Sequence, residues 1–144
     1  MIPDLTRIRS AIEKMADADT SIAAVFLHGS ASVGRMDEES DVDIAILAGA
    51  SVTKTDRRAL RLRCIRALGT AYPDVEEKFD VVILQDVPVL LRYNVIRKGT
   101  RIVEHDRAAR IDFELATERA YDDEEPYLRR ETEMILQNIL SRPA

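Results

Sequence analysis

Three short and almost entirely apolar runs constrain the fold of this chain most strongly. They are SIAAVFLHG at 21–29, DVDIAIL at 41–47 and FDVVIL at 79–84. Each run is too short for a typical helix, and each is bounded by glycine or acidic residues, which is the pattern of a buried strand. None approaches the 18 apolar residues of a membrane span. The chain is therefore predicted to build a small buried sheet.

The segments next to these runs have helical spacing. Asp4 is a plausible N-cap for a first helix over about 5–16. The run TKTDRRALRLRCIRALGTAYP is predicted to be a second helix, with one apolar stripe and with Gly69 near its end. The residues of that stripe are Leu60, Cys64, Ala67 and Leu68.

The second half of the chain adds one more strand and two helices. Pro88 suits the first turn of a short helix that ends at Gly99, and RIVEH is predicted to be a short edge strand. Asp106 caps a last helix that runs to about residue 140, with a break near 122–126 as an open alternative. Strands interleaved with helices predict a small α/β domain with a helical C-terminal arm.

The composition is that of one soluble globular domain. The 144 residues are 46% hydrophobic and 33% charged, which is enough to bury a core. We expect a single domain over 1–144, with an α/β core at 1–105 and a helical segment at 106–144. One cysteine, Cys64, and an N-terminus without an apolar leader run favour a reducing, cytoplasmic location. The net charge of −5 argues against nucleic acid as a direct partner.

Acidic residues stand at the beginning of two of the predicted strands. Asp41 and Asp43 are two apart, so in a strand both project from one face, about 7 Å apart. Asp80 begins the FDVVIL run in the same way. Facing carboxylates at a buried strand are costly unless a cation pairs with them, and carboxylates are preferred ligands of Mg²⁺. Three acids around two Mg²⁺ ions, about 4 Å apart, suit in-line displacement at phosphorus.

Gly29 and Ser30 supply a complementary anion site. A glycine lets the backbone approach a phosphate, amides that follow a strand can form an anion-binding nest, and a serine hydroxyl donates a further hydrogen bond. The acids and this turn together predict nucleotidyl transfer with pyrophosphate as the leaving group. The alternative without a functional role is that Gly29-Ser30 is a common turn and that a solvated acidic loop follows it.

The motif resembles that of the minimal nucleotidyltransferases of the polymerase β-like superfamily. Their signature is Gly-Ser, ten residues, then Asp-X-Asp, which here is Gly29-Ser30 and Asp41-Val42-Asp43. Asp80 in KFDVVIL matches the third acid of the family. The segments VPVLLRYNVIRKGTRIVEHD and RIDFELATERAYDDEEPYLRR resemble the MntA-type antitoxins in particular, so the likeness extends over nearly the whole chain.

The resemblance implies a specific fold and activity. The fold would be a small mixed sheet flanked by helices, and the activity would be Mg²⁺-dependent transfer of AMP from ATP to a tyrosine of a HEPN ribonuclease toxin, held in a hetero-oligomer. Asp41 and Asp43 would hold two Mg²⁺ ions, and Asp80 would complete the site and help to deprotonate the tyrosine hydroxyl. Gly29 and Ser30 would bind the triphosphate. A non-catalytic binding antitoxin and a small-molecule nucleotidyltransferase remain the alternatives.

Five further features of the sequence have either a single structural interpretation or a structural and a functional one. Arg35 either contacts the γ-phosphate or the toxin, or is a solvated loop residue. His28 is expected to be packed rather than catalytic, and Cys64 is expected to lie in the core. The arginines of RRALRLRCIR are not expected to share one face. The C-terminal run ETEMILQNIL either packs back on the sheet or presents apolar surface to a partner.

Overall fold

The computed structural model describes residues 5–29, 42–71 and 79–141. Ser30, Arg35 and Asp41, which were predicted to lie in the site, fall outside these residues, as does the predicted cap Asp4. The described residues form four strands and four α-helices. The strands are β1 (Ile22–His28), β2 (Val42–Ala48), β3 (Phe79–Ile83) and β4 (Thr100–Glu104), and the helices are α1 (Leu5–Asp17), α2 (Lys54–Ala71), α3 (Val89–Lys98) and α4 (Arg107–Leu140).

The four strands form one mixed sheet in the order β3-β2-β1-β4. β2 and β3 run parallel, whereas β1 pairs antiparallel with both β2 and β4. The three apolar runs are the three adjacent strands, and the predicted edge strand is β4 at one border of the sheet. The prediction of a small mixed sheet flanked by helices is confirmed.

Helices cover both faces of the sheet, because its strands are apolar on both sides. One face packs against α1 and α2, through residues such as Ile12, Leu60 and Ile46. The other face packs against α3 and α4, through residues such as Phe26, Val95 and Phe113. Strands buried on both faces have continuous apolar runs rather than alternation, which is the pattern that identified them.

Cys64 lies in the first of these cores, as the sequence predicted. It is 1% exposed, and burial raises the pKa of its thiol to about 12. A thiol in this environment is inert, since the thiolate is the reactive form. The stripe prediction was wrong for Ala67, which is exposed, while Gly69 takes a buried position on α2.

The last helix is continuous, so the alternative of a break near 122–126 was wrong. α4 has 34 residues with Pro126 inside it, which makes it about 51 Å long. Proline costs a helix interior one backbone hydrogen bond. Pro126 is exposed, and it lies between long segments rich in good helix formers such as Glu, Arg and Leu, which keep the helix intact on both sides.

α3 and α4 are held together by aromatic contacts. Tyr93 and Tyr121 stack with ring centroids 3.7 Å apart and planes within 4°, and the Arg92 guanidinium lies over the Phe113 ring at 5.9 Å. Thr117 of α4 is buried beside this contact face, at 2% exposure. The first half of α4 is therefore part of the folded body.

α4 begins at a side-chain cap, which can be tested. The Asp106 carboxylate accepts a hydrogen bond from the Ala109 amide at 3.0 Å. We expect Asp106→Ala to lower the free energy of unfolding by about 1 kcal/mol, because one amide of the first turn loses its partner. Urea unfolding measures the difference. Asp106→Asn, which keeps an accepting oxygen, and Asp112→Ala, on an exposed position of the same helix, should remain close to the wild type.

Candidate functional site

The parallel pairing of β2 and β3 places two of the predicted acids side by side. Asp43 and Asp80 are register partners near the first residues of their strands. Neighbouring strands are about 4.8 Å apart, and register partners project from the same face. Asp80 is exposed and Asp43 is partly exposed.

Asp43 and Asp80 carry like charges at adjacent positions of the sheet. Like charges that lie directly across a strand pair destabilise a sheet, and the cost grows where solvent is partly excluded. A divalent cation removes it, and carboxylate oxygens are hard donors of the kind that Mg²⁺ prefers. The donor chemistry of Asp43 and Asp80 therefore fits a magnesium site.

The described residues alone do not complete such a site. Within 5–29, 42–71 and 79–141, no three His, Cys, Asp or Glu side chains are grouped closely enough to hold a metal ion. The third predicted ligand, Asp41, is two residues before Asp43 and lies outside those ranges. Its role as a ligand remains a prediction.

Gly29 forms the other wall of this edge, at the end of β1. It has φ +68°, in the left-handed region that glycine tolerates and other residues rarely adopt. A Cβ built on Gly29 would lie 2.3 Å from Asp43 Oδ2, so the glycine backbone packs directly against that carboxylate. The sequence predicted glycine here for close approach of a phosphate, and the structure adds close approach of Asp43.

His28 belongs to the same edge, although the sequence predicted only a packed residue. It is the register partner of Asp43 across the antiparallel β1–β2 pair. His28, Asp43 and Asp80 thus occupy one row across three strands. Burial lowers the pKa of the His28 imidazole, against the opposing charges of Asp43 and Asp80. The signal available in the sequence was its position directly before Gly29.

A basic groove lies elsewhere on the molecule, along the outer edge of β3. It is lined by Lys54, Arg57, Arg58, Arg61, Val82, Ile83, Asp86 and Val87 and has a volume of about 320 Å³. Arg57 pairs with Asp86 at 2.8 Å, and Arg61 donates to the Val81 carbonyl at 2.7 Å. Arg63 pairs instead with Asp19 at 2.9 Å, which agrees with the expectation that the arginines of RRALRLRCIR do not all share one face.

The distal part of α4, residues 127–140, is largely exposed. Its apolar residues are Tyr127 (67% exposed), Met134 (58%), Ile135 (59%), Leu136 (52%), Ile139 (54%) and Leu140 (83%). Of the two predicted alternatives, packing back on the sheet is wrong for these side chains. Separately, no helix among the described residues is long and apolar enough to cross a membrane.

This chain matches one protein-family model, and several solved structures share its fold. Residues 10–108 match the family model described as polymerase beta, nucleotidyltransferase. A chain of a toxin–antitoxin crystal structure with AMP-PNP aligns at 23% identity and a TM-score of 0.64, covering 92% of this chain and 98% of that one. No curated protein sequence matches.

Two further structures share the fold. One matching chain comes from the structure of the tri-AMPylated Shewanella oneidensis HEPN toxin in complex with MNT antitoxin. It aligns at 20% identity and a TM-score of 0.58, covering 96% of this chain and 100% of the matched chain. The other is a proposed minimal nucleotidyltransferase, with 25% identity and a TM-score of 0.50 over 67% of this chain and 94% of that one. At these identities the likeness is one of fold.

The contact between Gly29 and Asp43 can be tested by adding one methyl group. We expect Gly29→Ala to lower the free energy of unfolding by about 2 kcal/mol, because a left-handed backbone costs other residues about 1–2 kcal/mol and the methyl group also displaces the carboxylate. Gly49→Ala is the matched control, since its Cβ would meet Val52 Cγ2 at 3.6 Å and the Ser21 carbonyl oxygen at 3.7 Å, both ordinary contact distances. Equal stability of the two variants in urea would contradict this account.

Proposed function

Because this chain belongs to the polymerase β nucleotidyltransferase family, we propose that it is an MntA-type antitoxin that transfers AMP from ATP to a tyrosine of a HEPN ribonuclease toxin. One observation supports this proposal most strongly. The fold brings Asp43 and Asp80 together as register partners, beside the left-handed turn at Gly29. This is the juxtaposition of acids and phosphate-binding backbone that adenylyl transfer needs.

The reaction exchanges one bond at phosphorus for another. The tyrosine oxygen bonds to the α-phosphorus of ATP, the bond from that phosphorus to the bridging oxygen breaks, and pyrophosphate leaves. In the proposal the hydroxyl proton passes to Asp80. Two Mg²⁺ ions, held by Asp41, Asp43 and Asp80, would supply Lewis-acid stabilisation of the charge that develops on the phosphate oxygens.

The other predicted residues would bind the nucleotide. The Gly29 turn and the Ser30 hydroxyl would hold the triphosphate, since backbone amides and hydroxyls after a strand suit phosphate oxygens. Arg35 would reach the γ-phosphate or the toxin. Because the proposed reaction consumes ATP and acts on an intracellular ribonuclease, we expect it to take place in the cytoplasm.

The choice of a protein substrate is supported by the extent of the shared fold. Chains from toxin–antitoxin structures cover 92% and 96% of this chain, whereas the proposed minimal nucleotidyltransferase covers 67%. The larger coverage reaches into the long helix α4, whose distal part carries exposed apolar side chains. Such a surface favours a macromolecular partner over a small acceptor.

The distal part of α4 also favours a second candidate function. An antitoxin that neutralises the toxin through contact alone needs this surface but not the acidic edge. The two functions are distinguished by incubating the wild-type chain with Mg²⁺, labelled ATP and a HEPN protein that co-purifies with it. Label on a toxin tyrosine supports transfer, whereas a tight complex without label supports neutralisation by binding.

Asp80 gives the sharpest test of catalysis. We expect Asp80→Asn to lower the rate of AMP transfer about a hundredfold or more, since Lewis-acid stabilisation is worth several kcal/mol and each 1.4 kcal/mol is tenfold in rate. In Mg²⁺-free buffer the variant should be at least as stable as the wild type, because one of two adjacent like charges is removed. The rate is measured from labelled ATP.

The control for Asp80→Asn is Asp112→Asn, which removes an exposed carboxylate far along the chain from the site. Retention of full transfer by Asp80→Asn, together with full transfer by the control, would show that Asp80 has no part in the chemistry. Toxin binding should be the same in all three proteins.

The partner surface is tested separately from the chemistry. Ile135→Glu with Ile139→Glu places two charges on one side of α4, four residues apart, and both positions are more than half exposed. We expect the free chain to keep its stability but to lose co-elution with the toxin in size-exclusion chromatography. Leu62→Glu, at an apolar position that is 51% exposed on α2, should still form the complex.

A further inference from the structure

His28 contains a buried polar atom that the described chain leaves without a partner. Its Nε2 is inaccessible to solvent and makes no hydrogen bond, and it is the single side-chain atom of this kind found among the described residues. A buried donor or acceptor without a partner destabilises a fold by about 1–3 kcal/mol. Such groups are rare in native proteins, and each needs an explanation.

The imidazole lies beside two acids. Asp43 is its register partner, and Asp80 is next in the same row. Register partners project from the same face of a sheet, so the His28 side chain stands on the face that carries both acids. In a neutral imidazole one ring nitrogen donates a hydrogen bond and the other accepts one.

The backbone beside His28 is packed tightly from the side of α3. A Cβ built on Gly99 would lie 2.4 Å from the Val95 carbonyl oxygen and 2.9 Å from the Leu27 carbonyl oxygen. The end of α3 is therefore pressed against the strand residue before His28. This contact limits how far the β1 backbone can shift to give the imidazole another partner.

His28 is not part of a metal-ligand cluster with the two described acids. Among the residues that the structure describes, His28, Asp43 and Asp80 are not grouped closely enough to share a metal ion. What Nε2 lacks is a hydrogen-bond partner, and two kinds of oxygen would supply one: a phosphate oxygen accepts from a protonated Nε2, and a water molecule donates to an unprotonated one. A ligand held by the two acids would bring such oxygens, either on a phosphate or on water bound to the metal.

We propose that His28 is a further substrate-binding residue, whose Nε2 hydrogen-bonds an oxygen of the magnesium–nucleotide complex at the acidic edge. This inference rests on the proposed function, since it assumes that the edge binds a nucleotide. In the free chain the unpartnered Nε2 lowers the stability of the fold, and the hydrogen bond to the ligand would remove this cost. His28 would thus favour the bound state over the free state.

Substitutions that separate the shape of His28 from its ε-nitrogen test the inference. His28→Phe keeps a ring of similar size without Nε2, whereas His28→Gln places an amide near the Nε2 position. We expect the Phe variant to bind ATP with Mg²⁺ about ten- to a hundredfold more weakly than the wild type in calorimetry, the usual effect of losing a hydrogen bond to a charged group. The Gln variant should restore affinity to within about threefold.

The free chain provides a second readout. Without ligand, the urea midpoint of His28→Phe should equal or exceed that of the wild type, because an unpartnered buried polar atom is removed. Titration with Mg²⁺ alone separates the two oxygen sources. A defect of His28→Phe with Mg²⁺ alone indicates a metal-bound water, whereas a defect only with ATP present indicates a phosphate oxygen.

Each outcome decides between the inference and the proposed function. Equal ATP affinity of wild type and His28→Phe overturns the inference, and failure of the wild type to bind ATP overturns the proposed function instead. Should His28→Phe not fold, His28→Asn replaces it, since its amide is too short to reach the Nε2 position. Weaker binding by Asn than by Gln then supports the inference, and equal binding overturns it.

Discussion

The parallel pairing of β2 with β3 is the contact on which the rest of the site depends. It makes Asp43 and Asp80 register partners, so two carboxylates share one face of the sheet at about the spacing of neighbouring strands. The apolar remainder of both strands is buried between two helical layers, which fixes the register, because a slip of one residue would move every side chain to the opposite face and mismatch the packing of both cores. The core therefore keeps the two carboxylates adjacent.

Two features beside these acids differ from the apolar cores of the fold. Gly29 has a left-handed backbone that packs against Asp43, a conformation that glycine tolerates. His28 buries an unpartnered nitrogen in the same row, which lowers the stability of the free chain, whereas the two cores on either side of the sheet are apolar. An unmet polar group on an otherwise stable scaffold is typical of a functional site.

The acidic edge and the exposed apolar surface lie on different parts of the fold. The sheet with α1, α2 and α3 positions the acidic edge, and the first half of α4 belongs to this body through the Tyr93–Tyr121 stack. The distal part of α4 continues beyond it with exposed apolar residues. The proposed chemistry and the proposed partner contact are therefore assigned to separate surfaces.

The sequence by itself determined the strands, most helix bounds and the identity of the candidate acids, because apolar runs, caps and the Gly-Ser…Asp-X-Asp spacing are local patterns. It could not decide whether Pro126 breaks α4, whether ETEMILQNIL folds back, or that Arg57, Arg58 and Arg61 line one groove, since each depends on what packs nearby. Only the tertiary structure placed Asp80 beside Asp43 and His28 in their row. Strand order is a long-range property, set by burial of both sheet faces, and no local pattern specifies it.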